Sequence, residues 1–357
     1  MICHSPSVLS PLWFILVFVS FLHVEGQKID LDSKVTDIFK VKQGTNGGGC
    51  DNYPVEDWFQ DAKLLAGFAR NAVLVAGGVK TPDEADLTIT KVDAQQLLLA
   101  FFNIAPGGDE DLLDDIINEV ESFMISVGDL DQETKPEEDK PWIFCSSDWL
   151  ERKQWEDTYE GPNRDAGGEE KTIKQAYLDA SSKSVQETEA ELKPYVPWWS
   201  ADIGDYLLDG RSNYCSRVGA VASTQEQISP ASITLCPRRW ESQPETLSGI
   251  AKVTKDGQSL GKLQVHSLTL FHEMFHLVLG NDDTPDHTYE IDVIVADENH
   301  RARARLRDTD ASKRGYLTAY ESAHNPETWV FFALAVHLMQ ANPDYSFVTS
   351  KSQKRSE

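Results

Sequence analysis

Two histidines and a glutamate carry the most legible chemistry in this chain. His272-Glu273-Met274-Phe275-His276 has the H-E-x-x-H spacing. Residues four apart share one face of an α-helix, so His272 and His276 can aim both imidazoles at a single ion. Glu273 lies one step round the helix, within reach of a water held by that ion, as a general base must be. The flanking residues suit a buried helix: Leu268-Thr269-Leu270-Phe271 leads in, and Met274, Phe275, Leu277 and Leu279 continue the apolar surface. These residue types point to hydrolysis by a Zn2+-activated water. The competing reading is a helix that carries two histidines and no ion.

Catalytic zinc normally takes three protein ligands, so a third must come from outside the helix. An acidic loop, Asp282-Asp283-Thr284-Pro285-Asp286, follows Gly280. Asp282 lies six residues past His276, and Asp286 lies ten past it and three before Tyr289. Glu298, on an expected downstream helix, is a further candidate.

Several elements must hold this stretch in place. From Glu56 to Ala76, Trp58, Phe59, Ala62, Leu65, Ala66, Ala69 and Val73 recur at helical spacing, and Gly77-Gly78 stops the run. Thr81-Pro82-Asp83-Glu84 reads as a capped helix start, with an interruption at Thr88-Ile89-Thr90 and helix again from Asp93 to Phe102. Asp109 to Val127 is amphipathic. Trp142 to Cys145 reads as a short strand, Ser181 to Lys193 as a polar helix, and Trp198-Trp199 as packing residues. Ile233 and Leu235 alternate ahead of Cys236-Pro237, which marks an edge strand able to hold an extended peptide by main-chain hydrogen bonds. Asn325-Pro326 opens a strongly apolar helix with an N-cap and a first-turn proline.

The 357 residues are 40% hydrophobic and 10% aromatic, enough for a substantial core. A formal charge of −25 repels nucleic acid and anionic membrane surfaces, which argues against both as partners. Arg301, Arg303, Arg305 and Arg307 are expected to pair with carboxylates of the same chain. An apolar run from Leu12 to Val19, with Val24-Glu25-Gly26 after it, has the shape of a secretory signal spanning residues 1–26, although no Lys or Arg precedes it. Cys3 falls within that segment, leaving Cys50, Cys145, Cys215 and Cys236. Four cysteines in an oxidising compartment imply two disulfides with three connectivities, of which Cys215–Cys236 with Cys50–Cys145 is favoured because the first pair brackets a local loop. Residues 27–49 read as a flexible N-terminal segment, 50–345 as one domain, and 346–357 as a disordered tail.

The stretch after the helix resembles the aspzincins, the deuterolysin and peptidyl-Lys metalloendopeptidase group of secreted fungal proteases. Their pattern after H-E-x-x-H is G-T-x-D-x-x-Y-G. Here it runs Asp283-Thr284-Pro285-Asp286-His287-Thr288-Tyr289-Glu290, matching at Thr284, Asp286 and Tyr289, with Asp283 and Glu290 at the glycine positions. Ile233 to Pro237 is similar to the group's strand ending in Cys-Pro. Asn325-Pro326-Glu327-Thr328-Trp329 is similar to its N-A-D/E-x-Y/W helix start, with Val330 where Lys-specific members carry a second acid. The resemblance spans about Ile233 to His337.

It implies an α+β, predominantly helical, zincin-like metallopeptidase with an active-site helix and a small sheet bearing a substrate-binding edge strand. It also implies one Zn2+ per chain held by His272, His276 and Asp286, with Glu273 as general base and Tyr289 stabilising the transition state. Glu327, Ile233 and Leu235 would contact substrate. The expected protein is a secreted, extracellular, monomeric endopeptidase acting on peptides or proteins. The alternative is a secreted zinc-binding or surface antigen protein without turnover.

Overall fold

The computed structural model describes residues 32–130, 136–161, 170–210, 213–240, 243–250, 252–253, 255–295 and 315–355. The expected signal segment therefore lies outside the described residues, as do Asp297, Glu298, His300 and the arginines from Arg301 to Arg307.

The helical spacing around Trp58 produces α2 (Val55–Gly77), and every apolar position named for it is buried. Gly78 ends it at φ 78, a left-handed conformation that glycine adopts without a Cβ clash. Around α2 pack α3 (Lys91–Phe102), α4 (Glu110–Leu130), α7 (His266–Leu279) and α10 (Pro326–Ala341); the short α8 (Ile291–Ile294) and α9 (Ala319–His324) come between the last two in the chain. The aromatic residues of these helices lock them together. Phe275 of α7 stacks on Phe123 of α4 at 4.1 Å between ring centroids, and Phe102 meets Trp329 at 4.7 Å. The Asp109–Val127 pattern appears as α4, whose apolar face supplies Phe123 to this packing.

A four-stranded sheet lies against α7. Its order is β1 (Lys40–Val41), β2 (Trp142–Phe144), β7 (Ser232–Leu235) and β6 (Ala222–Gln225). The first three strands run parallel, and β6 is antiparallel to β7. This corrects the expected edge strand. β7 is interior, with both sides of its backbone paired and with Ile233 and Leu235 fully buried, so neither residue can contact substrate. The edge beside α7 is β6 instead.

A second, antiparallel sheet of β3 (Glu151–Arg152), β4 (Val196–Ser200) and β5 (Asp205–Asp209) accompanies α5 (Ile173–Ala180) and α6 (Val185–Leu192). Trp198 and Trp199 sit on β4; Trp198 is buried, and neither lines the cleft described below. The buried Ile173, Leu192, Trp198 and Tyr206 are packed apart from the main core.

Three further expectations are corrected. The segment at 27–49 is not a free lead where it is described: it forms α1 (Val35–Ile38) and β1, with Ile38 and Phe39 in the core. The tail is ordered through Arg355, because β8 (Tyr345–Ser346) pairs β9 (Gln353–Lys354), Phe347 is fully buried, and Arg355 Nη2 lies 3.0 Å from Asp93 Oδ1. Thr81 and Glu84 do exchange capping hydrogen bonds, but only turns follow; Thr90, not Thr81, caps a helix, through a box with Asp93. Both expected disulfides, Cys50–Cys145 and Cys215–Cys236, are formed. No helix of the described residues is long and apolar enough to cross a membrane.

Candidate metal centre

Helix α7 buries its chemistry along with its apolar face: His272, Glu273 and His276 are at most 6% exposed. The helix stops at Gly280, which sits at φ 93 and donates its N–H to the His276 carbonyl at 3.0 Å. The chain then has to turn back and bring a carboxylate to the imidazoles.

The loop does so with ordinary backbone. Among the described residues, the non-glycine positions with positive φ are Asp86 and Asn103, so neither Asp283 nor Glu290 needs the freedom of a glycine. Side chains hold the turn instead. Thr284 donates both its N–H (2.9 Å) and its hydroxyl (2.7 Å) to the Gly280 carbonyl. Further along, the fully buried Asn325 carboxamide accepts from the N–H groups of His287 (3.0 Å) and Thr288 (3.4 Å), and donates to the Thr288 carbonyl (3.2 Å). Asn325 was expected to cap α10 with its side chain. It precedes the helix, but its amide grips the loop and Thr328 Oγ1 instead.

Asp286 is thereby placed against both histidines. His272 Nε2 and His276 Nε2 are 3.1 Å apart, and Asp286 Oδ1 lies 3.0 Å from the first and 3.3 Å from the second. Ligand atoms on a tetrahedral zinc with bonds of about 2.0–2.1 Å stand roughly 3.3 Å from one another. The three atoms thus form one face of such a tetrahedron to within a few tenths of an ångström. Among the described residues, this is the group of three acidic, histidine or cysteine side chains that converges closely enough to hold a metal.

The outer ring nitrogens are also fixed. His272 Nδ1 lies 3.1 Å from Glu327 Oε2, so its proton belongs on Nδ1. His276 Nδ1 lies 3.1 Å from Thr284 Oγ1, whose own hydrogen goes to Gly280 O, so it too donates from Nδ1. Both Nε2 lone pairs then face the Asp286 carboxylate, an arrangement that requires a cation or a proton at the centre. In the metal-free chain a proton serves: burial pulls the His272 pKa down, but Asp286 and Glu327 outweigh it and push it up to about 10. Burial would raise the Asp286 carboxyl, yet the adjoining His272 and His276 rings outweigh it and hold it well below the usual carboxylate range. The donor set fits zinc in type, number and spacing.

Glu273 accepts from the Thr224 hydroxyl at 2.7 Å, and burial pushes its carboxyl above the usual range against the pull of the imidazoles. Thr224 belongs to the edge strand β6, so the strand and the base are positioned together. Tyr289 is 57% exposed, stacks on His272 with centroids 5.6 Å apart, and donates its hydroxyl to Asp286 Oδ2. A cleft of about 450 Å³ opens beside the centre, bounded by the Gly219–Ala222 segment, the first turns of α7 and the start of α10.

Of the residues named from the sequence, His272, Glu273, His276, Asp286, Tyr289 and Glu327 come together, and Ile233 and Leu235 do not. Glu327, expected to face substrate, is at the cleft margin with its carboxylate engaged by His272. Asp282 is not among the converging groups. Thr224, Thr284 as a histidine partner, and Asn325 as a loop clamp were not legible beforehand. Comparison of the chain with family models, with curated proteins and with solved structures gave no match.

Proposed function

We propose that this chain is a secreted zinc-dependent endopeptidase with an aspzincin-like, zincin-type active site. The observation that carries the reading is the triangle of His272 Nε2, His276 Nε2 and Asp286 Oδ1, with edges of 3.0–3.3 Å, set beside Glu273 and an open cleft. His272, His276 and Asp286 would hold the ion, whose Lewis acidity, when it is bound, lowers the pKa of a water and polarises a carbonyl.

The chain's own residues supply the remainder. Among the described residues no strand pairs the outer side of β6; the Ala222 carbonyl there accepts the Tyr214 hydroxyl, and the rest of that edge can meet the backbone of an extended peptide. Glu273 takes the proton of the attacking water and returns it to the leaving amine, held in line by Thr224. Tyr289 donates to the developing oxyanion once its hydroxyl swings off Asp286 Oδ2, a movement its exposed ring permits. Two disulfides suit an extracellular site of action.

A second reading, zinc binding without turnover, is favoured by one detail: the Tyr289 hydroxyl is committed to Asp286 rather than to the cleft. Metal analysis and cleavage of a peptide library by the wild type and Glu273→Gln separate the two. The peptidase reading expects about one zinc per chain in both proteins and cleavage by the wild type alone. Equal cleavage by both would refute Glu273 as the base, and zinc without any cleavage would establish the second reading.

A further inference from the structure

The cleft has two ends of opposite chemistry. The charged or ionisable groups on its lining, apart from the phenols, are His272, Glu273 and Glu327, all at the metal end. One oxygen of each carboxylate there is engaged, Glu327 Oε2 by His272 Nδ1 at 3.1 Å and Glu273 Oε2 by the Thr224 hydroxyl at 2.7 Å. The apolar walls are Val265, just before α7, and Leu268 in its first turn, with Trp240 and with Val330 of α10, all buried within the fold. Gln243 and Gln264 complete the apolar end, linked by one long contact of 3.4 Å from Gln243 Nε2 to Gln264 Oε1. Each carboxamide offers two donors and two acceptor lone pairs, so that single contact leaves both with capacity for another polar group.

We propose that this end of the cleft is a specificity subsite that selects a long uncharged side chain, of the leucine, methionine or glutamine kind, next to the scissile bond. The inference rests on the peptidase reading and extends it to a substrate class. Aliphatic walls reward burial of an apolar stem, and the two amides can satisfy a neutral polar tip. An ammonium, guanidinium or carboxylate tip would lose its hydration among Val265, Leu268, Val330 and Trp240, none of which carries a charge to pair with it. The chain's charge of −25 acts differently. It draws basic peptides to the surface at large and changes encounter rates, but it does not make this subsite accept a lysine.

The test is a peptide library cleaved by the zinc-loaded wild type and by Gln264→Glu, with cleavage sites read by mass spectrometry. Binding of matched leucine, glutamine, lysine and glutamate peptides to the inactive Glu273→Gln protein is measured alongside by titration calorimetry. In the wild type, one position flanking the cleaved bond should favour leucine, methionine or glutamine over charged residues by at least about tenfold, and peptide binding should follow the same order. Gln264→Glu should move that position towards lysine and arginine. Enrichment of a charged residue at both flanking positions, a flat profile, or an unchanged profile in Gln264→Glu would overturn the proposal. If the wild type cleaves nothing, the peptidase reading fails and the subsite with it; if it cleaves without the neutral preference, only the subsite fails.

Discussion

Asn325 and Thr288 face each other through both halves of one carboxamide: Oδ1 accepts from the Thr288 N–H at 3.4 Å while Nδ2 donates to the Thr288 carbonyl at 3.2 Å. The same Oδ1 takes the His287 N–H at 3.0 Å. The backbone on the far side of Asp286 is therefore fastened to the start of α10, while Thr284 fastens the near side to the end of α7. Asp286 reaches the imidazoles because it is held between two clamps.

Removing the first clamp should loosen the ligand without unfolding the chain. Asn325→Ala is expected to weaken zinc binding by about 10–100-fold, as loss of a ligand-supporting hydrogen bond typically does. Asn325→Asp, which keeps the acceptor but loses the Thr288 carbonyl contact, should fall between that variant and the wild type. Competition with a chromophoric chelator measures the affinities, and circular dichroism checks that the helices persist. Wild-type affinity in Asn325→Ala would show that the loop needs no such clamp.

Thr224 offers a complementary prediction, because it touches the base and no metal ligand atom. Thr224→Val keeps the shape of the side chain and removes the hydroxyl that fixes Glu273 Oε2. A hydrogen bond to a charged group is worth about 1.5–3 kcal/mol, so kcat should fall roughly tenfold or more. Zinc stoichiometry and affinity should stay at wild-type values. A parallel loss of zinc would mean that Thr224 supports the centre as a whole rather than the orientation of Glu273.

How much of this was visible in the sequence depended on whether a signal was local. α2, α4, α7 and α10 are long amphipathic or apolar runs with clear stops, and their residues alone specify them. The two histidines and Glu273 share a helix, so spacing was enough. The placement of β7 was not local. Ile233 and Leu235 mark a strand, but whether its outer side is covered depends on Ala222-Ser223-Thr224-Gln225, a segment with no apolar alternation to announce β6. Asn325 misled for a related reason: Asn before Pro satisfies the local rule for a helix start, while its buried partners lie 37 and 38 residues away. The C-terminal tail read as disordered because it is polar, and its order comes from one aromatic residue and from pairing that composition does not reveal.

That aromatic residue can be tested directly. Phe347 is fully buried between β8 and β9 and belongs to the main core. Phe347→Ala should destabilise the chain by about 3–5 kcal/mol, the usual result of emptying a phenylalanine site. A solvated tail would give a change near zero, so denaturant unfolding of this single variant separates a packed C-terminus from a loose one.

His337 provides a prediction about pH that is independent of the metal. It lies on α10 with its ring 5.8 Å from that of Phe68, and its Nε2 is buried with no hydrogen-bond partner among the described residues. Burial lowers its pKa below the ordinary histidine value of 6.5, because the charged form would lose hydration. The sign follows from proton counting. Below about pH 6.5 the unfolded chain binds a proton at this position and the folded chain does not, so folding stability falls as pH drops from there towards the lowered folded value. Above that range both states are neutral and the contribution is flat. His337→Phe removes the titration and the unsatisfied nitrogen together. It should be more stable than the wild type by about 1 kcal/mol at pH 7.5, and the difference should widen at pH 5. Urea unfolding of both proteins at the two pH values measures this, and a difference that stays constant or shrinks on acidification would show that His337 is protonated in the fold.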